Sequence, residues 1–159
     1  MRRSLFVGAL VVCAVVVFSS SVVLAADNWL GTWKLNVEKS KYSPGLPAPK
    51  SLTLKYGASE GGTTLTTDGV SAAGKATHHT YTSKFDGKDV PWEGNPNADT
   101  SAPKKIDDNS FENVWKKGGK VTITSKAVVS KDGKTYTLSY TGKNAMGETV
   151  NATEVFEKQ

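Results

Sequence analysis

Beyond residue 26 the chain is built of short runs in which apolar and polar side chains alternate. Ser51 to Tyr56 sets Leu52, Leu54 and Tyr56 against Ser51, Thr53 and Lys55, and Trp29, Gly31, Trp33 and Leu35 oppose Lys34 and Asn36 in the same way. A period of two marks a strand with one buried face. Runs of this kind, rich in Thr, Val and aromatic residues as strands prefer, cover 29–35, 51–56, 63–67, 76–85, 89–93, 100–106, 111–116, 120–130, 135–141 and 148–158. Asp68-Gly69, Asp86-Gly87-Lys88, Gly118-Gly119-Lys120, Asp132-Gly133-Lys134 and Met146-Gly147 fall between runs and read as tight hairpin turns. No segment of helical length shows a 3.6-residue period. Pro44, Pro47 and Pro49 break the 37–49 stretch, leaving room for one helical turn near 38–41 before the chain covers an end of the fold. Consecutive strands joined by hairpins predict an all-β fold: an up-and-down antiparallel meander β-barrel of about 8–10 strands, whose closure removes exposed edges.

Parity sorts the faces. The expected inward sets are Trp29, Trp33 and Leu35; Leu52, Leu54 and Tyr56; His79, Tyr81 and Phe85; Val90 and Trp92; Phe111, Asn113 and Trp115; Val121, Ile123, Ala127 and Val129; Tyr136, Leu138 and Tyr140; and Val150, Ala152, Glu154 and Phe156. A barrel of this size either fills its interior with side chains or holds one small ligand. Both readings stand at this point. If there is a pocket, its candidate lining is His79, Tyr81, Trp92, Asn113, Trp115, Tyr136, Tyr140 and Glu154. Glu154 lies on an apolar face between Ala152 and Phe156, and a buried carboxylate is costly unless it is paired or protonated. Lys104, by parity, is a candidate partner for it. The other reading places Glu154 at the barrel mouth, in water.

Residues 1–26 differ in kind. Arg2 and Arg3 precede an apolar run from Leu5 to Phe18, and Val23-Leu24-Ala25-Ala26 supplies small residues for cleavage. This is the layout of a secretory signal peptide, and the run is shorter than the ~20 apolar residues of a membrane anchor. Cleavage after Ala25 or Ala26 would leave a 27–159 barrel domain, periplasmic or secreted and with no stable membrane anchor. The only cysteine, Cys13, departs with the peptide, which removes disulfides and thiol chemistry from the domain. The only arginines depart as well. Of 20 basic residues, 18 lysines then face 15 acidic ones, a net charge of +3. Lysines scattered singly and in pairs, without arginine, do not form the clustered basic face of a nucleic-acid binder.

Little catalytic chemistry is visible. His78 and His79 are the only histidines, and neighbours on a strand point to opposite faces, so they do not share a metal. No Gly-x-Ser-x-Gly elbow, catalytic cysteine or phosphate loop occurs. No cofactor, metal or catalytic residue is assigned, and a His79 acid–base pair with Tyr81 or Glu154 is the one enzymatic reading left. Asp107-Asp108 reads as a turn.

Gly31-Thr32-Trp33 on the first strand, ahead of a ten-run meander, resembles the calycin group of lipocalins and fatty-acid-binding proteins. The ending Thr153-Glu154-Val155-Phe156-Glu157-Lys158 resembles the final strand of the fatty-acid-binding branch. The opening Gly31-Thr32-Trp33-Lys34-Leu35-Asn36 and the Tyr81 to Pro96 region resemble small bacterial exported proteins described as lipocalin-like. The resemblance implies a barrel with a hydrophobic ligand inside, and structural roles for Gly31, Trp33 and Phe156. Two departures stand out. Lipocalins stack an arginine on the tryptophan, and none is present here. Fatty-acid-binding proteins carry Arg-x-Tyr on the last strand for the lipid carboxylate, where this chain has Glu154-x-Phe156. The leading expectation is a non-enzymatic exported binder of a small hydrophobic molecule. The alternative is an envelope interaction or inhibitor module with a packed interior, recognising partners through the 42–49 or 92–96 loops.

Overall fold

The structure is a computed structural model and describes residues 27–159; the signal-peptide assignment lies outside the described residues. Ten antiparallel strands follow one another: β1 (Gly31–Tyr42), β2 (Ser51–Ser59), β3 (Gly62–Val70), β4 (Ala76–Ser83), β5 (Val90–Pro91), β6 (Thr100–Asp107), β7 (Ser110–Lys117), β8 (Lys120–Val129), β9 (Thr135–Lys143) and β10 (Thr149–Lys158). Their order in the sheet is β4-β3-β2-β1-β10-β9-β8-β7-β6-β5, so every neighbour in space is a neighbour in sequence except the β1–β10 pair. That pair joins the chain's two ends, with Trp33 opposite Lys158 and Leu35 opposite Phe156. Closure is incomplete at a single seam. There β4 meets the residues just after β5 through one bridge, Thr80 to Glu93, whose reciprocal backbone bonds measure 3.1 and 3.0 Å, and the residues just after β4 meet β6 through a second, Asp86 to Lys104. The expected meander barrel is the fold observed.

One end of the barrel is a plug of aromatic rings. Trp29 and Trp33 are completely buried, and the Trp33 indole N–H donates to the Trp29 carbonyl at 2.7 Å. Trp29 stacks on Phe85 at 5.4 Å between ring centroids and meets Phe111 edge-on at 5.2 Å. Lys158 takes the place that an arginine would hold. Its stem passes over Gly31, where a Cβ would stand 3.1 Å from Lys158 Cε, and its ammonium lies 4.8 Å from the Trp33 ring centroid. On the other side Lys105 reaches over Trp29 and bonds Asp27 and Asp108 at 2.6 and 2.7 Å.

Four local expectations are corrected. Residues 38–41 form no helical turn; they continue β1 through a bulge. The register moves from Asn36–Val155 to Lys41–Thr153, five steps on β1 against two on β10, so three extra residues are accommodated. The Ser40 hydroxyl fills the gap, donating to the Asn36 carbonyl at 2.7 Å and accepting from the Val155 N–H at 3.0 Å. Val121 points outward, 59% exposed, because β8 carries one extra residue between Val121 and Ile123. Asp68-Gly69 is not a turn; both residues lie within β3, paired with Thr53 and Leu52, and the hairpin turns fall at Glu60-Gly61 and Ala72-Ala73. Lys104 faces solvent opposite Glu112, because Ser101 and Pro103 take the inward positions of β6. The run 100–106 has almost no apolar contrast from which parity could be anchored.

Candidate functional site

Above the aromatic plug the strands enclose a cavity of about 300 Å³. The eight residues singled out as candidate lining, His79, Tyr81, Trp92, Asn113, Trp115, Tyr136, Tyr140 and Glu154, all lie on its wall. Leu52, Leu54, Leu65, Ile123 and Leu138 supply its aliphatic surface, and Leu46, Pro49 and 95–97 border it from the loops. The 37–49 stretch therefore contributes to one end of the barrel, but through Leu46 and Pro49. Trp92, offered by the interaction-module reading as a displayed aromatic, is only 7% exposed and packs edge-on against Tyr81 and Trp115. That module also required a packed interior, which the cavity contradicts.

The polar groups sort by what already satisfies them. Asn113 is largely structural: its Oδ1 accepts from Ser101 Oγ at 2.9 Å and from the Ala102 N–H at 3.0 Å, pinning β7 to β6. Tyr56 and Tyr136 share a hydroxyl–hydroxyl bond of 3.0 Å deep in the wall, and burial raises both phenols above their ordinary value. His79 is half-buried and turned inward, whereas His78 pairs with Asp68 at the surface. Burial holds the His79 imidazole below its usual value. Its Nδ1 has no hydrogen-bond partner, and the same is true of the indole N–H groups of Trp92 and Trp115.

Glu154 is the one carboxylate on the wall, 5% exposed. Its Oε1 accepts from two phenols, Tyr42 on β1 and Tyr140 on β9, each at 3.3 Å. Burial pushes its carboxyl up to about 7, and the two phenols only partly offset that cost. Both phenols are raised in turn, by burial first and then by the carboxylate. Tyr42 is the functional neighbour that parity missed. Strict alternation from Trp33 and Leu35 turns even-numbered residues outward, and the three-residue bulge reverses that beyond Ser40. A bulge of this kind leaves no apolar mark in the sequence, although Tyr42 is one of only five tyrosines, and the other four all line the cavity.

No protein-family model matches the chain, and comparison of its sequence with curated proteins found no match. Among solved structures it is similar to the zebrafish ileal bile acid-binding protein in complex with cholic acid, with a TM-score of 0.51 and 11% sequence identity, over 83% of this chain and 99% of that one. The two share the fold of an antiparallel meander barrel. At this identity the likeness covers the path of the chain and not its side chains. The barrel here builds its cavity from its own set of aromatics, with an acid on the last strand.

Proposed function

We propose that this calycin barrel is an exported, non-enzymatic carrier that holds one small hydrophobic molecule in its interior, in the periplasm or outside the cell. The observation that carries this is the cavity: a largely apolar, aromatic-walled space with a few polar groups on its wall, Glu154 among them, the form of a small-molecule site. Its volume is at the lower end of ligand pockets and about twice the ~150 Å³ of an apolar cavity that takes one benzene. It suits a ligand of one or two rings. The similar fold of a bile acid-binding protein supports a binding role over a catalytic one. His79 makes no hydrogen bond to a carboxylate or phenol, so it lacks the partner an acid–base pair needs. Export is supported by residues 1–26.

Trp92 and Trp115 line the cavity and report on it. Titration of the purified protein with neutral one- and two-ring compounds is expected to change tryptophan emission saturably. Ser125→Phe, which fills the cavity from β8, should abolish the change. An unaltered response in that variant places binding elsewhere and overturns the proposal. Fractionation of producing cells, with mass analysis of the product, checks export by cleavage after Ala25 or Ala26.

A further inference from the structure

The charge on the cavity wall is one-sided. The chain has 18 lysines beyond residue 26, yet none lines the cavity, and its only ionisable groups besides the phenols are Glu154 and His79. His79, held below its ordinary value, is neutral at pH 7. Glu154 therefore sits in low dielectric with no cation beside it among the described residues. The side chains facing it are Tyr42 from β1 and Tyr140 from β9, both bonding Oε1, with Tyr136 farther along β9. Among the described residues, only Oε1 of Glu154 takes part in a hydrogen bond. A buried carboxylate in this state favours any ligand that brings a positive charge and N–H donors. An anionic ligand would meet like charge and no counter-ion. Next to the carboxylate, Tyr140 stacks on Trp115 at 5.8 Å between centroids, presenting aromatic faces that attract cations.

We infer that the cavity selects a hydrophobic amine of one or two rings, its ammonium held on Glu154 beside Tyr42 and Tyr140, its apolar body against the aromatic wall. This rests on the carrier reading above and narrows it. The ligand class is then the opposite in charge of a fatty or bile acid. Binding is coupled to a proton, since the ammonium needs the ionised carboxylate.

Three probes with one body separate the cases: 1-naphthylmethylamine, 1-naphthylmethanol and 1-naphthoic acid, titrated calorimetrically into the purified protein at pH 8 and pH 5. At pH 8 the amine is expected to bind roughly tenfold or more tighter than the alcohol, with the acid weakest. Glu154 protonates near 7, so the amine should weaken by some tens of fold at pH 5, while the alcohol moves little. Burial holds the His79 imidazole below its usual value, which disfavours its charged form. Glu154→Gln should erase both the preference for amine over alcohol and its pH dependence. Alcohol binding equal to amine binding, or the acid binding best, overturns the inference and leaves the carrier intact. Failure of all three probes overturns the carrier reading itself. If Glu154→Gln does not fold, the wild-type series and its pH dependence decide alone.

Discussion

Trp33 shows how one side chain closes a barrel end. It is wholly buried, anchored by its N–H to Trp29 and covered by the Lys158 ammonium, so no rearrangement of a single neighbour refills its place. Trp33→Ala should cost about 3 to 5 kcal/mol, the range for truncating a buried aromatic, in a domain with no disulfide to fall back on. Denaturant melts of purified wild-type and variant protein measure it, and a loss below about 1 kcal/mol would place the indole outside the core. Glu154 makes the opposite kind of contribution. Its native carboxyl keeps its proton up to about pH 7, against an ordinary value of 4.5. Stability from this group is therefore full below pH 4.5 and declines as pH rises toward 7, by roughly 3 kcal/mol in all. The difference in stability between Glu154→Gln and wild type should grow in the variant's favour across that window. A difference that stays flat from pH 4.5 to 8 would mean that the carboxyl is not desolvated. Both residues were legible from their position on an alternating strand. Tyr42 and Lys104 were not, because their facing depends on a bulge in one strand and on a run without apolar contrast in the other.

At the scale of strands, the bulges show where alternation stops being a guide. β1 absorbs three extra residues and β8 one, and in both a hydroxyl patches the ladder. Ser40 does so in β1, and Thr122 in β8, donating to the carbonyls of Trp115 and Asn97 at 3.2 and 3.0 Å. Strand existence could be read almost everywhere, since period-two runs and glycine turns are local signals. The extra residues could not, because their cost is met by partners on neighbouring strands. Opposite the β8 bulge, Gly142 in β9 has a φ of 153°, and a Cβ there would fall 2.1 Å from the Thr122 carbonyl oxygen. Gly142→Ala should destabilise by more than about 2 kcal/mol. Gly133, in the β8–β9 turn with open space around it, also has a positive φ but no clash. Its replacement by alanine should cost only about 1 to 2 kcal/mol, the conformational penalty alone. Equal losses in thermal melts of the two variants would show that the β9 backbone shifts to make room.

For the molecule as a whole, sequence-neighbour pairing produces a wall of about the right circumference to leave space inside, and that followed from counting runs. Whether the space would be filled did not. The aromatic set fits a solid core as well as a lined cavity, and the outcome turns on how the rings divide along the axis. Trp29, Trp33, Phe85 and Phe156 gather into the plug, while Trp92, Trp115 and Tyr140 stay on the wall. Plug and cavity should respond differently to loss of an aromatic. Trp115→Ala, above the plug, is expected to enlarge the cavity and cost less stability than Trp33→Ala, while shifting ligand preference toward bulkier bodies. Melts and titrations on the same two variants test both halves of that statement.

The ring of strands carries a long ladder with one bulge where the first and last strands meet, and is weakest between β4 and β5. Gln159 donates its backbone N–H to Thr32 at 3.0 Å, whereas the seam is held by two isolated bridges. The present order of the chain thus sets a long ladder between its first and last strands, and leaves a local one almost unmade. A circular permutant that starts at Asp89, runs through β10 into β1 by a glycine-rich linker, and ends at Lys88 would reverse this. All its well-formed pairings would be local, and its two new ends would flank the seam. Folding rates rise as contacts become more local, so the permutant should refold faster than the natural chain while keeping the cavity. Stopped-flow refolding would show it, and a slower permutant would mean that the seam, for all its sparse bridging, organises the barrel early.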